Sequence, residues 1–366
     1  MPRILASLSI TILLFICFSA TSQVIATDVK KSPAEQADQI IKGVYEKENF
    51  PGLAIEVWKN GKSVFSKGYG YADIDNKIEV DPKRSLFRIG SVSKPYTAAG
   101  LALLYEAGKI DLDVPIQTYV PSFPKKQFVI TLRQLAGHLA GIRHYRGAEF
   151  MSNRHYPTVM EGLEIFQEDD LLHEPGTKYA YSSYGWNLIS AAMEAVSEKE
   201  FLVYMKEAVF ESLQMSNTCA DDNAQSIPNK VAFYNKNSSG KNQIAPTVDN
   251  SYKWAGGGYL STVEDMAKFA QAHIDDAFLD KAIIDKWTTS QQTKDGKNTN
   301  YGIGWRSGSD KKDRSWFGHT GGSVGGSSIL IIYPNENIIV AMAINLSRAQ
   351  HGNLAFRVAE QFFSLR

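Results

Sequence analysis

The sequence predicts an α+β protein in which an antiparallel sheet, flanked by helices, carries an inserted all-helical domain. The chain opens with a helical pattern and a hairpin pattern, and its last third holds strand-like runs followed by a helix. Between them, most of the chain has helical spacing broken by polar or proline-bearing loops. We therefore predict a sheet domain built from residues 30–90 and 251–366, with residues 91–250 as the mostly helical insert.

Local patterns predict the individual elements. Ser32-Pro33-Ala34-Glu35 is a capping-box pattern that starts a helix ending near Asn49. Asn60-Gly61 is a hairpin turn between two strands, residues 53–58 and 64–71. The further predicted helices are 95–107, 132–138, 160–166, 185–196, 199–210, 263–274 and 352–363. The further predicted strands are 303–305, 316–319, 327–333 and 338–345, and residues 220–250 form a surface excursion.

The bulk composition excludes some classes of partner. The 366 residues are 43% hydrophobic and 21% charged, which is ordinary for a folded soluble protein. Lys plus Arg and Asp plus Glu each number 39, so no net charge attracts nucleic acid or an anionic membrane. We expect a small-molecule or peptide substrate recognised by local contacts, and we leave a homo-oligomer open.

The N-terminus has the pattern of a secretory signal peptide, residues 1–22. Arg3 precedes the apolar residues 10–16, and small residues precede a cleavage point after Ser22. This predicts a secreted or periplasmic protein with no membrane span after signal removal. An uncleaved anchor is disfavoured because the apolar run is short, and a mitochondrial presequence, the other alternative, is normally richer in arginine. Removal of Cys17 with the signal leaves Cys219, so no internal disulfide is expected.

Ser91-Val92-Ser93-Lys94 carries the strongest chemical pattern. A serine and a lysine three residues apart share one face of a helical turn, so the amine reaches the hydroxyl and activates it as a nucleophile. At a helix start, the serine N–H also favours a developing oxyanion. Three other Ser-x-x-Lys matches, at Ser122, Ser238 and Ser309, lie in a proline-containing or polar loop stretch. Pro95 predicts a tight or irregular turn after Ser91.

Two further segments complete a candidate site. Tyr181-Ser182-Ser183 precedes a predicted helix, and a lysine ammonium near Tyr181 would favour its phenolate, which could accept or relay the Ser91 proton. His319-Thr320-Gly321-Gly322 ends a predicted strand, where the glycines allow close approach of a ligand. The Gly322 N–H is a candidate for the second oxyanion donor. Aromatic packing of Tyr181 and a plain glycine turn are the alternatives.

Ser-x-x-Lys, Tyr-x-Ser and His-Thr-Gly, in this order, resemble the signature of serine β-lactamases, penicillin-binding proteins and related class C-like hydrolases. Longer segments resemble the serine β-lactamase-like proteins of animal mitochondria and bacteria. These segments are Leu112-Asp113-Val114-Pro115-Ile116-Gln117, His138-Leu139-Ala140-Gly141-Ile142-Arg143-His144-Tyr145, Lys253-Trp254-Ala255-Gly256-Gly257-Gly258 and His319-Thr320-Gly321-Gly322-Ser323-Val324-Gly325. The resemblance implies a β-lactamase/transpeptidase-like fold with the active site in the cleft between sheet and insert.

The resemblance also implies residue roles. Ser91 would be the acyl-enzyme nucleophile, Lys94 its proton partner and Tyr181 the general acid/base, while Ser183 would contact substrate. His319 stands where many lactamases have lysine, and a neutral histidine holds a β-lactam carboxylate weakly. The catalytic candidates are thus Ser91, Lys94, Tyr181 and His319. The candidates for oxyanion or substrate binding are Gly322, Ser183, Thr320 and Gly321.

The sequence therefore predicts a serine hydrolase that acts through an acyl-enzyme on amide, peptide or ester substrates, with weak or no β-lactamase activity. No cofactor is expected, and His138, His144, His155 and His173 lack metal-ligand spacing, so no metal site is expected. We expect His138 to brace the loop at Gly141-Ile142. The alternatives are a filament-forming or scaffold protein with a vestigial site, and a penicillin-binding sensor.

Overall fold

A seven-stranded antiparallel sheet runs through the molecule in the strand order β3–β2–β1–β12–β11–β10–β9. The computed structural model describes residues 2, 31–275 and 277–363, so the predicted signal peptide, residue 2 apart, lies outside the described residues. The strands of this sheet are β1 Gly52–Lys59, β2 Lys62–Asp73, β3 Ile78–Glu79, β9 Arg306–Ser309, β10 Ser315–Ser323, β11 Gly326–Tyr333 and β12 Ile338–Ile344. The shorter strands are β4 Phe87–Arg88, β5 Thr218–Ala220, β6 Tyr234–Lys236, β7 Asn242–Ile244 and β8 Tyr259–Ser261.

Helices cover both faces of the sheet. They are α1 Pro33–Glu48, α2 Ser93–Glu106, α3 Leu132–Ala136, α4 Val159–Leu163, α5 Tyr184–Ser197, α6 Phe201–Met205, α7 Trp254–Gly257, α8 Val263–Gln271, α9 Lys281–Thr288 and α10 Leu354–Ala359. Helices α1 and α10 pack together on one face, and α8 packs on the other, where the remaining helices enclose the larger core. No helix within the described ranges is long and apolar enough to cross a membrane.

The two ends of the chain meet in this sheet, as the sequence predicts. Ser32 caps α1 by accepting from the Glu35 N–H, and the Glu35 carboxylate accepts from the Ser32 N–H at 2.8 Å. Asn60 and Gly61 both have positive φ, at 52° and 72°, which the predicted two-residue turn between β1 and β2 requires. Strand β12 lies between β1 and β11 with every residue buried, because both sheet faces are covered.

Some predicted elements differ from the structure. The predicted strand 303–305 is instead a buried turn before β9, where Gly304 has a φ of 82° and Trp305 packs face to face on Phe269 at 5.9 Å. The predicted helix 199–210 divides into α6 and a π-helix, Lys206–Glu211. Helix α9 is absent from the sequence prediction. The insert also carries three short strands, of which β5 pairs with β8, so it is not entirely helical; the division into two domains stays a prediction.

We expect Ile331→Ala to lower the free energy of unfolding by about 2–5 kcal/mol, because Ile331 is 1% exposed between the sheet and its terminal helices. The matched control is Ile78→Ala on the edge strand β3, where the side chain is 56% exposed. Urea denaturation with circular dichroism measures both variants. Equal losses of stability would contradict this assignment of the core.

Candidate active site

Ser91 lies in a 3-10 turn, Gly90–Val92, that leads directly into α2. Gly90 has a φ of 50°, and a Cβ there would lie 2.6 Å from the carbonyl oxygen and 2.7 Å from the nitrogen of Gly322. Glycine is the residue that tolerates both the backbone conformation and the contact. The irregular turn expected from Pro95 is therefore this 3-10 turn, and it seats Ser91 against β10 with its N–H at a helix start.

Lys94 is completely buried, and its amine has three hydrogen-bond partners. Its Nζ lies 3.0 Å from the Ser91 Oγ, 3.0 Å from the Ser183 Oγ and 2.6 Å from the Gly256 carbonyl oxygen. Burial, followed by the positive charges of Arg306 and Lys253, holds the pKa of Lys94 well below its usual range. A neutral amine donates to the carbonyl and to the Ser183 hydroxyl and has a lone pair left to accept the Ser91 proton.

The ring centre of Tyr181 lies 4.8 Å from the Lys94 Nζ. Burial raises the pKa of Tyr181 above its usual range, although the nearby Ser91 hydroxyl and the charge of Arg306 oppose this shift. The expectation of a phenolate is thus wrong, because burial of Tyr181 disfavours its charged form. Tyr181 is a neutral phenol that can donate a proton.

Two histidines hold the segment that carries Tyr181. The Ser182 N–H donates to the His138 Nδ1 at 3.1 Å, and the Ser183 N–H donates to the His144 Nδ1 at 3.2 Å. Burial is the main reason that the pKa of His138 is well below its usual range and that the pKa of His144 is lowered to about 4. Both rings are therefore neutral acceptors. The ring of His138, expected to brace Gly141-Ile142, bonds instead to the segment after Tyr181.

His319 is buried under the same cleft, and both of its ring nitrogens are bonded internally. The Nδ1 lies 2.6 Å from the Thr320 carbonyl oxygen, and the Nε2 lies 2.9 Å from the Tyr301 hydroxyl. Because a carbonyl only accepts, the Nδ1 carries the proton and the Nε2 accepts from Tyr301. Burial, with the charges of Lys94 and Arg306, holds the pKa of His319 well below its usual range. This ring is neutral and offers neither nitrogen to a ligand.

The glycines after His319 form an open edge of the cleft. Gly321 pairs with Ser328 and Gly322 with Ser327 in the β10–β11 ladder, and Thr320 and Gly322 are exposed. A Cβ on Gly321 would lie 1.9 Å from the Ile89 carbonyl oxygen, whereas one on Gly322 would meet nothing within 4 Å. Gly321 thus permits the close packing, and the Cα of Gly322 faces open space.

Sequence reasoning missed several residues around this centre: the Gly256 carbonyl, His144, Tyr301, Arg306 and Lys253. The segment from Lys253 to Gly258 contributed to the resemblance, but nothing in it pointed to a role. Lys253 is 2% exposed, and its Nζ lies 4.4 Å from the ring centre of Phe150 with no hydrogen-bond partner in the described part of the chain. Burial, followed by the charge of Arg88, lowers the pKa of Lys253 to about 7.

A metal has no evident place here. Among residues 2, 31–275 and 277–363, no three His, Cys, Asp or Glu side chains come together to hold an ion. The reactive side chains gathered here are the half-buried Ser91 and Tyr181 beside the buried Lys94.

The structure thus brings three motifs together around one cleft: Ser91-x-x-Lys94, Tyr181-x-Ser183 and His319-Thr320-Gly321. A family model described as Beta-lactamase matches residues 37–361. The chain belongs to the Beta-lactamase family. It is a serine hydrolase with the β-lactamase/transpeptidase-like fold that the resemblance implied, and both predictions are confirmed.

One curated relative and two solved structures illustrate what this Beta-lactamase family member is similar to. The human serine beta-lactamase-like protein LACTB, mitochondrial, is 29% identical, over 90% of this chain and 79% of its own length. The structure of a D-stereospecific amidohydrolase from Streptomyces sp. has a TM-score of 0.77 at 20% identity, covering 89% of this chain and 98% of its own. A class C beta-lactamase structure has a TM-score of 0.77 at 17% identity, covering 91% and 97%. The two structural likenesses show the fold.

We expect Gly90→Ala to slow the reaction of Ser91 with an active-site phosphonate probe by about 10-fold or more. The added methyl group must displace Gly322, and the resulting shift of the turn would move Ser91 relative to Lys94 on α2. Labelling rates followed by intact-protein mass spectrometry provide the measurement. Gly43→Ala is the matched control, since a Cβ at this position in α1 meets nothing within 4 Å. A Gly90→Ala protein that labels as fast as the Gly43→Ala protein would disprove the close seating of Ser91.

Proposed function

We propose that this chain hydrolyses amide, peptide or ester bonds through an acyl-enzyme on Ser91, with weak or no β-lactamase activity. The observation that carries the proposal is the buried Lys94 amine, held between Ser91, Ser183 and the Gly256 carbonyl. A vestigial site in a scaffold protein has no need of a buried amine, whose desolvation costs stability.

The geometry supports a two-step reaction. Ser91 Oγ attacks the substrate carbonyl while its proton passes to the Lys94 Nζ, and the N–H groups of Ser91 and Gly322 stabilise the oxyanion. Tyr181 transfers a proton to the leaving group as the tetrahedral intermediate collapses, and it is reprotonated from Lys94. A water molecule then attacks the acyl-enzyme by the reverse relay and releases the acid with Ser91 restored. One oxyanion donor contributes roughly 3 kcal/mol to such a barrier.

Two observations bear on the substrate. His319 is neutral and internally bonded, so the third motif supplies no fixed charge for a β-lactam carboxylate, which favours weak β-lactamase activity. The likeness to a D-stereospecific amidohydrolase supports amides or peptides as the first substrates to test, with esters next.

We further propose a secreted or periplasmic location from the N-terminal pattern. The mitochondrial human relative supports the alternative, a mitochondrial location.

We expect Ser91→Ala to abolish phosphonate labelling and to lower kcat/KM on a panel of small esters and alanyl amides by roughly 10³-fold or more. Ser122→Ala is the matched control, because Ser122 begins a Ser-x-x-Lys pattern that does not open a helix. An absence of labelling and turnover in the folded wild-type protein would favour the scaffold. A β-lactam adduct that persists in mass spectra would favour the penicillin-binding sensor.

We expect kcat/KM to fall at acidic pH as Lys94 becomes protonated, since only the neutral amine accepts the Ser91 proton. In Lys253→Met this acid limb should move to higher pH. Below its own pKa of about 7, Lys253 is a cation that disfavours the protonation of Lys94, so its removal raises the pKa of Lys94. Lys311→Met, at an exposed position, is the control. An unmoved limb in Lys253→Met would contradict this electrostatic coupling.

A further inference from the structure

A cavity of about 680 Å³ lies between the π-helix Lys206–Glu211, strand β5 and strand β8. Within the described part of the chain, its lining shares no residue with the candidate active site. Most of the lining is apolar and comes from Leu202, Phe210, Met215, Ala220 and Ile227. A volume of this size is in the range of sites that hold drug-sized molecules. The cavity is therefore large enough for a ligand of its own.

Tyr259 on β8 lines this cavity and has a hydroxyl group without a partner. The side chain is 1% exposed, and its hydroxyl makes no hydrogen bond to any described residue. The other buried polar side chain of the lining, Thr218, is satisfied. Its hydroxyl lies 2.8 Å from the Ser261 Oγ and 3.2 Å from an Asp265 carboxylate oxygen. A buried hydroxyl that makes no hydrogen bond costs free energy, so the one on Tyr259 requires an explanation.

Contacts on its other sides hold Tyr259 in place. Its ring centre lies 5.1 Å from that of Phe210 and 6.3 Å from that of Tyr96. Its backbone N–H donates to the Ser93 Oγ at 3.3 Å, and its carbonyl oxygen accepts from the Ile89 N–H at 3.2 Å. Burial holds the pKa of Tyr259 well above its usual range, so the hydroxyl keeps its proton and is available as a donor.

The charged side chains of the lining do not favour an ionic ligand. Lys206 and Glu211 both belong to the π-helix, and the ammonium of one lies 3.7 Å from the carboxylate of the other. Among the described residues, no other lysine, arginine, aspartate or glutamate lines the cavity. A π-helix is rare, and such turns occur frequently at functional sites. The ligand that matches this lining is uncharged, largely apolar and equipped with one hydrogen-bond acceptor.

We propose that this cavity is a binding site, separate from the active-site cleft, for a small, uncharged, mostly apolar molecule that carries a carbonyl group. The Tyr259 hydroxyl donates to the carbonyl oxygen, while Leu202, Phe210 and Met215 cover the apolar part of the molecule. The ligand thus provides the hydrogen bond that the protein does not, which offsets the cost of burying the hydroxyl. This inference goes beyond the hydrolysis proposed for Ser91 and does not depend on it.

A matched pair of probes tests the proposal. Benzophenone has a carbonyl between two phenyl rings, and diphenylmethane has the same two rings without the oxygen. In calorimetry on the full chain, benzophenone should bind about 5-fold or more tightly than diphenylmethane, as expected for one hydrogen bond. Tyr259→Phe should remove this difference. The control Tyr204→Phe should keep it, because the Tyr204 hydroxyl donates to the Gly100 carbonyl at 2.8 Å and does not line the cavity. No binding of benzophenone, or an unchanged preference in Tyr259→Phe, would overturn the proposal.

Cys219 on β5 reports where the probe binds, because its half-buried side chain lines the cavity. Cys17→Ser leaves it as the remaining thiol of the chain. Burial is the main reason that the pKa of Cys219 is raised to about 11, so its alkylation by N-ethylmaleimide is followed at alkaline pH. Benzophenone at about ten times its Kd should slow this alkylation about 10-fold. An unchanged rate with benzophenone bound would place the probe elsewhere and disprove the assignment.

Urea denaturation without a ligand distinguishes a ligand-binding hydroxyl from a structural one. Tyr259→Phe removes a group that has no partner, so the free energy of unfolding should stay unchanged or rise. Tyr204→Phe breaks a buried hydrogen bond and should lower it. An equal loss of stability in both variants would mean that the Tyr259 hydroxyl is already satisfied in the unliganded protein, contrary to the proposal. None of these measurements uses the reactivity of Ser91, so they decide the cavity even if the proposed hydrolysis fails.

Discussion

The burial of the Lys94 amine is the constraint on which the rest of the site depends. An amine in water would be protonated at neutral pH and useless as a base, whereas a fully buried amine is held neutral by desolvation. Desolvation alone would leave its polar hydrogens unsatisfied. The Gly256 carbonyl and the Ser183 hydroxyl satisfy them and so fix the remaining lone pair toward Ser91. Reactivity and placement come from the same contacts.

These contacts join parts of the chain that are far apart in sequence. Ser91 and Lys94 lie at the start of α2, Ser183 precedes α5, and Gly256 belongs to α7. Because α2 packs against both other helices, the core of the helical layer fixes the distances between the three polar groups. The two histidines, His138 and His144, that accept from the backbone before α5 extend this arrangement to Tyr181. A neutral imidazole suits this position, since it accepts from an N–H without adding charge beside Lys94.

Local sequence signals predicted the elements whose formation is local. The capping box of α1, the Asn60-Gly61 turn and the Ser-x-x-Lys spacing each depend on residues within a few positions, and the structure contains all three. The errors concern long-range packing. The apolar residues before β9 alternate like a strand, but Trp305 is buried against Phe269 and Phe317, which draws the chain into a turn. The direction of the pKa shift of Tyr181 also could not be predicted from the sequence, because it depends on how the fold buries the Tyr181 ring.

The site has a neutral centre with a fixed positive charge beside it. The groups around the scissile bond, namely Lys94, Tyr181, His138, His144 and His319, are held neutral by burial. The guanidinium of Arg306 on β9 places a positive charge at the edge of this neutral centre. That same charge, after burial, helps to keep Lys94 unprotonated.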